Sequence, residues 1–158
     1  MLDFIMSASV LAIFFALYLT YKLKKEEDGS DEMARISSLI QKGAKTFLSK
    51  EYKYLSVFVI VFALITGYFI NIGTSVSFIL GSILSGLAGY IGMITATSSN
   101  SKASWAAENK LSRGLRIAFS SGAVMGMFVV GLALLGVSTL YYVFESPDII
   151  FGFGFGAS

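Results

Sequence analysis

The fold is decided by one stretch without charge, YLSVFVIVFALITGYFINIGTSVSFILGSILSGLAGYIGMITATSSNS, which runs from residue 54 to residue 101. A membrane-spanning helix needs about 20 apolar residues, because the hydrocarbon core is about 30 Å thick and a helix rises about 1.5 Å per residue. The stretch is long enough for two such helices, and NIGTS (71–75) supplies turn-forming residues between them. It therefore predicts two membrane-spanning helices, near 54–70 and 76–98.

Other charge-free runs extend this pattern to both sides, at 4–21 and 117–144. Another apolar segment follows ESPDII, where Ser146 can cap a helix that has Pro147 first and Asp148 second. We therefore predict an all-α polytopic membrane protein with its N-terminus outside. It has four transmembrane helices plus the truncated start of a fifth, at about 4–21, 54–70, 76–98, 117–141 and 147–158. We expect truncation because residues 149–158 cover only about 15 Å, half of a bilayer core.

The composition agrees with a membrane protein and excludes several kinds of site. Hydrophobic residues make up 55% of the chain and charged residues 14%, too few to cover a globule in water. The sequence has no cysteine and no histidine. Disulfide frameworks and the usual zinc ligand sets are therefore excluded, and a metal would have to be a hard cation held by oxygen.

The distribution of charge predicts the orientation. All 12 basic residues fall within 22–53 and 99–116, whereas the other side receives only Asp3, Glu145 and Asp148. The positive-inside rule makes the first side cytoplasmic, so we expect a multi-pass protein of the cell membrane with basic loops 22–53 and 99–116 in the cytoplasm. Asp3 precedes the first apolar run and YKLKKEED follows it, the reverse of a secretory signal. We therefore expect this helix to be retained.

Residues 31–53 have the pattern of an amphipathic helix. Ser30 is a candidate N-cap, and apolar residues such as Ile36, Leu39 and Ile40 recur at helical spacing. We predict a cytoplasmic extension that packs on the protein's own helices and continues into the second span. A membrane-surface or partner-binding helix is the alternative.

Small residues recur one turn apart in the third and fourth spans. Examples are Ser82 with Gly86, Ser85 with Gly89, and Ala118 with Gly122 and Gly126. Such spacing lets membrane helices approach closely. We therefore predict tight helix packing, which includes additional helices. The helix-prone basic segment between these spans, 99–116, could meet an anionic substrate or an anionic lipid, but the positive-inside bias alone explains its charges.

The chain lacks a recognisable catalytic centre of its own. No predicted span contains an Asp, Glu, Lys, Arg or His, although ion pathways normally use such groups. The carboxylates cluster in one charged turn, which we interpret as a solvated connector rather than a metal site: Glu26, Glu27, Asp28, Asp31 and Glu32. We predict no catalytic, cofactor-binding or metal-binding residue in this chain, and no nucleic-acid partner.

Several motifs nevertheless resemble one family, the membrane-bound inorganic pyrophosphatases. IQKGAKTFLSKEYK (40–53) is similar to the start of their second helix. Six positions match the family's motif: Gly43, Ala44, Phe47, Leu48, Glu51 and Tyr52. GYIGM (89–93), AF-x-x-GAVMG (118–126) and GFGFGAS (152–158) resemble their third, fourth and fifth helices. One departure is NSKAS (100–104), where Lys102 stands in place of the family's arginine.

The resemblance implies the N-terminal part of a homodimeric pump. Such a pump hydrolyses magnesium pyrophosphate at the cytoplasmic side and moves H⁺ or Na⁺ outward. Mg²⁺ is the implied cofactor and K⁺ a further candidate, both bound outside this segment. The resemblance places the pyrophosphate-binding residues after the matched region, so we expect this chain by itself to be inactive. Two alternatives are a stand-alone membrane partner or assembly protein, and a small channel formed by oligomerisation.

Overall fold

The computed structural model describes residues 2–158, and for residue 148 it describes the backbone alone. Five helices follow one another in the described chain: α1 (Leu2–Lys24), α2 (Asp31–Phe69), α3 (Ile72–Asn109), α4 (Leu111–Phe144) and α5 (Pro147–Ala157). The first four are long and apolar enough to cross a bilayer, which confirms the predicted all-α class and the predicted number of long spans.

Local capping explains where the helices begin. The N–H of Met33 donates to Ser30 Oγ at 3.4 Å, as the N-cap prediction requires. Asn71 caps α3 through its Oδ1, which accepts from the N–H of Thr74 at 2.7 Å, so the chain does reverse at NIGTS. Pro147 occupies the first turn of α5, where its missing N–H is harmless.

One detail of these helix ends differs from the sequence prediction. Ser146 is the N-cap residue of α5, but its side chain makes no capping hydrogen bond within the described part of the chain. The proposed role of the Asp148 carboxylate lies outside the described residues. The basic segment 99–116 is almost entirely helical, because α3 continues to Asn109 and α4 starts at Leu111, with Lys110 alone between them.

Helix α3 lies at the centre of the arrangement. It packs against α2, α4 and α5, while α1 packs on α4. Helices α1 and α4 contribute most of the apolar core, around the fully buried Ala16 and Val124. The turn between α1 and α2 lies beside the break between α3 and α4 at Lys110. We call the end of the bundle that contains this turn and this break the basic end.

Glycines bring these helices into close contact. A Cβ added at Gly152 or Gly156 would collide with the α3 backbone at Thr74 or Phe78. These two glycines of α5 therefore form one small face against α3, as their spacing predicts. Gly131 approaches α1 in the same way, because a Cβ there would lie 3.1 Å from the carbonyl oxygen of Ser9.

The register between α2 and α3 changes the relative height of the predicted spans. Ser75 Oγ donates to the carbonyl oxygen of Ala63 at 2.7 Å, and Tyr52 Oη donates to that of Gly86 at 2.6 Å. The predicted α2 span begins at residue 54, and this boundary therefore lies near Gly86 on α3. The predicted α3 span ends at residue 98, which lies about 18 Å beyond Gly86 towards the basic end of the bundle. Residues 87–98 of α3 thus run beside the charged stretch of α2.

Candidate functional site: a charged cluster and an open groove

The most highly organised polar structure is a charged cluster at the basic end, built on Lys102. This residue is only 8% exposed, although it is a lysine in a predicted membrane protein. Its Nζ donates to the carbonyl oxygen of Glu26 at 2.6 Å and lies 3.3 Å from Asp28 Oδ1. A buried ammonium needs such partners, because removing it from water without them is costly. Lys102 therefore anchors the α1–α2 turn to α3.

Two further side chains hold the same turn. Arg113, at the start of α4, binds Glu26 Oε2 at 2.9 Å. Trp105, one turn beyond Lys102, donates its indole N–H to Glu27 Oε2 at 3.3 Å. The turn is therefore tied to both α3 and α4.

Gly29 allows the turn to lie this close to α3. Its φ is +90°, in the region that L side chains rarely adopt. A Cβ at this position would lie 2.8 Å from Met33 Sδ and 3.0 Å from Trp105 Cβ. Both the backbone conformation and the space under the indole ring thus require glycine.

The prediction of a solvated connector is wrong for Glu26, because its side chain is only 20% exposed. Long-range contacts explain the difference: the partners of the turn lie on α3 and α4, more than 70 residues away in sequence. The described residues contain no group of three or more carboxylates arranged to hold a metal ion. Instead, a basic or indole group binds one carboxylate oxygen each of Glu26, Glu27 and Asp28.

An open groove is the second feature of interest. It has a volume of about 570 Å³ and lies between α2 and α3, beside the last turn of α5. Its floor is the small-residue face of α3, including Gly86, Gly89 and Gly92. Its lining is mostly apolar, and among the described residues that line the groove Glu51 is the only charged one.

The residues that carry the family resemblance lie on both sides of this groove. Leu48, Glu51 and Tyr52 line it from α2, opposite the GYIGM segment of α3. Tyr52 joins the two sides through its bond to Gly86. None of these contacts brings a nucleophile next to a base or assembles a ligand set. Sequence reasoning noted these residues as a motif, but it missed their convergence because the pairing of α2 with α3 is a tertiary feature.

The comparisons with known proteins agree on one family. A family model described as inorganic H⁺ pyrophosphatase matches residues 10–158. The chain is 39% identical over 163 residues to the K⁺-insensitive pyrophosphate-energized proton pump 2 of Moorella thermoacetica, covering 96% of this chain and 24% of that protein. It is 35% identical to the K⁺-insensitive pyrophosphate-energized proton pump of Methanosarcina mazei, covering 96% and 23%.

Another relative carries a different ion in its name. The chain is 43% identical over 152 residues to a Clostridium tetani protein named provisionally as a K⁺-stimulated pyrophosphate-energized sodium pump, covering 96% of this chain and 23% of that protein. The chain thus spans about a quarter of the length of the curated relatives it matches.

Proposed function

The chain belongs to the inorganic H⁺ pyrophosphatase family, and we propose that it forms the N-terminal membrane scaffold of a pyrophosphate-energised ion pump. The observation that carries the proposal is the family match across residues 10–158, combined with coverage of only a quarter of the relatives. In the complete pump, hydrolysis of magnesium pyrophosphate at the cytoplasmic side drives H⁺ or Na⁺ outward. The five helices described here supply packing surfaces for that reaction and not its reacting groups.

The chemistry of the charged cluster supports a scaffold role. Mg²⁺ requires near-octahedral coordination by oxygen, usually with carboxylates that are free to bind it. Here Glu26 is bound to Arg113, Asp28 to Lys102 and Glu27 to Trp105. These residues do not fit a magnesium site. We therefore assign Mg²⁺, and K⁺ where a pump requires it, to other parts of the complete protein.

The open groove supports the same role from the apolar side. Gly86 lies on its floor, and a Cβ added there would meet nothing within 4 Å. Gly122 and Gly126 on α4 are equally open. Small residues on a membrane helix favour a closely packed neighbour. We propose that helices from the remaining three-quarters of the pump, and a second copy in a homodimer, cover these faces.

For the topology, we propose an N-terminus outside and the basic end in the cytoplasm. The proposal rests on the positive-inside bias, because all 12 basic residues fall within 22–53 and 99–116. We further propose that the inner boundary of the bilayer core lies near Tyr90 on α3, a position that the register of α2 with α3 supports. Residues 72–90 then cover about 28 Å, close to the thickness of a bilayer core.

The absence of cysteine allows a direct test of this topology. Single substitutions Lys45→Cys, at the basic end, and Ile70→Cys, at the opposite end, place one thiol on each side. Both positions are exposed. An impermeant maleimide added to intact cells should label Ile70→Cys and leave Lys45→Cys unlabelled until the cells are opened. The reverse pattern would refute the proposed orientation.

The pump activity is tested on the complete open reading frame, expressed in inverted membrane vesicles. Addition of magnesium pyrophosphate should produce phosphate together with uptake of H⁺ or Na⁺ into the vesicles. An ionophore for the transported ion should abolish its accumulation and leave hydrolysis intact. Hydrolysis without accumulation of either ion would contradict the proposal that this family member is a pump.

A further inference from the structure

A second cavity lies at the basic end, between α1 and α2, and we call it the interhelical cleft. It has a volume of about 430 Å³, within the range of about 300–1,000 Å³ in which protein pockets hold small ligands. Helix α3 forms its floor. The cleft exists because α1 packs on α4 and α2 packs on α3, so that α1 and α2 share no extended interface within the described chain.

The lining of the cleft changes from apolar to charged along the bundle axis. Ile91 and Ile94 of α3 lie at the apolar end, with Tyr90 beside them. Ser98 and Lys102 lie two to three turns further along the same helix. The transition covers about 18 Å between residues 90 and 102. An amphiphile oriented along the bilayer normal has the same order of apolar and polar parts.

The charges of the cleft favour an anion. Lys24 and Lys102 contribute two positive charges, against the single carboxylate of Asp28. Lys102 Nζ commits one hydrogen bond to the carbonyl oxygen of Glu26 and forms an ion pair with Asp28 at 3.3 Å, so at least one of its three N–H donors is left for a ligand. The Lys24 side chain is exposed and lies on the opposite wall, and the amide of Gln41 adds another donor.

We propose that this cleft binds the phosphate-containing headgroup of an anionic membrane phospholipid, with its acyl chains against the apolar end. Basic pockets between transmembrane helices are a known way for proteins to hold such headgroups. A free phosphate ion would use only the charged end of the cleft and leave Ile91 and Ile94 exposed. The apolar end therefore favours a lipid. This site is independent of pyrophosphate hydrolysis and transport.

Native mass spectrometry of the complete protein tests the proposal after reconstitution with phosphatidylglycerol or phosphatidylcholine. After delipidation in mild detergent, the wild-type protein should retain phosphatidylglycerol in preference to phosphatidylcholine. Lys24→Ala should lower the retained phosphatidylglycerol about fivefold, since one basic side chain near a membrane surface contributes about that factor. Ile94→Trp should reduce retention further, because the indole ring fills the apolar end.

Lys25→Ala is the matched control, since it removes the same charge one residue along the chain, from a side chain that stacks on Tyr21 instead of lining the cleft. Its retention should equal that of the wild-type protein. The proposal fails if both lipids are retained equally, if neither is retained, or if Lys24→Ala and Lys25→Ala behave alike. Displacement of the lipid by excess inorganic phosphate would show a site for the free ion and would also overturn it.

Discussion

The interface of α3 with α5 contrasts with the uncovered surface formed by the outer face of α2 and the groove floor of α3 at Gly86 in how completely this chain covers each of them. A third of the apolar part of α3 is buried, compared with 6% of that of α2. At Gly81, an added Cβ would collide with the α5 backbone at Phe153, whereas at Gly43 and Gly86 it would meet nothing. We call the first region the closed interface and the second the open face.

The contrast shows what a small-residue pattern can and cannot predict. Spacing of small residues one turn apart identifies a surface on which a helix can approach closely. It does not say which helix approaches. The closed interface finds its partner in α5, whereas on the open face a Cβ added at Gly43 or Gly86 meets no atom within 4 Å among the described residues. Substitutions in the two regions should therefore have different effects.

The largest expected effect is that of Gly81→Ala. The new methyl group would meet the backbone of α5, which has no flexible side chain to move aside, so α3 and α5 must separate. Overpacking of this kind costs about 3 kcal/mol. Thermal unfolding of the purified chain in detergent measures the loss.

Gly86→Ala is the matched control on the same helix. It should leave the stability unchanged or raise it by up to about 1 kcal/mol, because alanine is the better helix former and the position is open. Equal destabilisation by the two substitutions would remove the distinction between the closed interface and the open face.

The next largest effect is expected for Lys102→Met, which keeps the length of the side chain and removes its charge. The carbonyl oxygen of Glu26 and the carboxylate of Asp28 lose their partner, and we expect a loss of about 2 kcal/mol. Lys45→Met, at an exposed position of α2, should change the stability by less than about 0.5 kcal/mol. If the two variants unfold at the same temperature, Lys102 does not anchor the turn.

A smaller effect is expected for Arg113→Gln. The guanidinium is half exposed, so its ion pair with Glu26 should contribute about 0.5–1 kcal/mol. Salt screens such pairs, and the difference between variant and wild-type protein should shrink as the ionic strength rises. A difference that is insensitive to salt would mean that packing of the arginine, not its charge, stabilises the turn.

The smallest effect belongs to the exposed pair of Glu32 and Arg35 on α2. The hydrogen bonds from Arg35 lower the pKa of Glu32 below its ordinary value of 4.5. The pair is therefore fully present above pH 4.5, and its contribution is lost as the pH falls through the lowered pKa. Glu32→Gln should remove this pH dependence and leave the unfolding temperature at neutral pH unchanged. A clear loss of stability at neutral pH would show that this exposed pair contributes more than a solvent-screened ion pair.

Much of the fold follows from the sequence, because bilayer thickness and local capping act over short distances. The charge-free runs predicted four long helices, and Ser30 marked the start of α2 through a hydrogen bond to a residue three positions away. The turn predicted at residues 71–75 lies where Asn71 caps α3. The face formed by Gly152 and Gly156 was also predictable, since helical spacing alone determines it.

The charged cluster and the span heights were not predictable in the same way. Lys102 binds residues 74 and 76 positions away, so no local pattern reveals that this lysine is buried. Likewise, the bond between Tyr52 and Gly86 sets the register of α2 on α3. Charge-free runs measure the length of a span but not its height relative to neighbouring helices.

The most direct test of the scaffold assignment separates this chain from the rest of the protein. Membranes are prepared with residues 1–158 alone, with the remainder of the open reading frame alone, and with both expressed together. Hydrolysis of magnesium pyrophosphate is then compared with membranes that contain none of these. Activity is expected only when both parts are present, because we propose that the scaffold and the reacting groups lie on different segments. Turnover by residues 1–158 alone would contradict it.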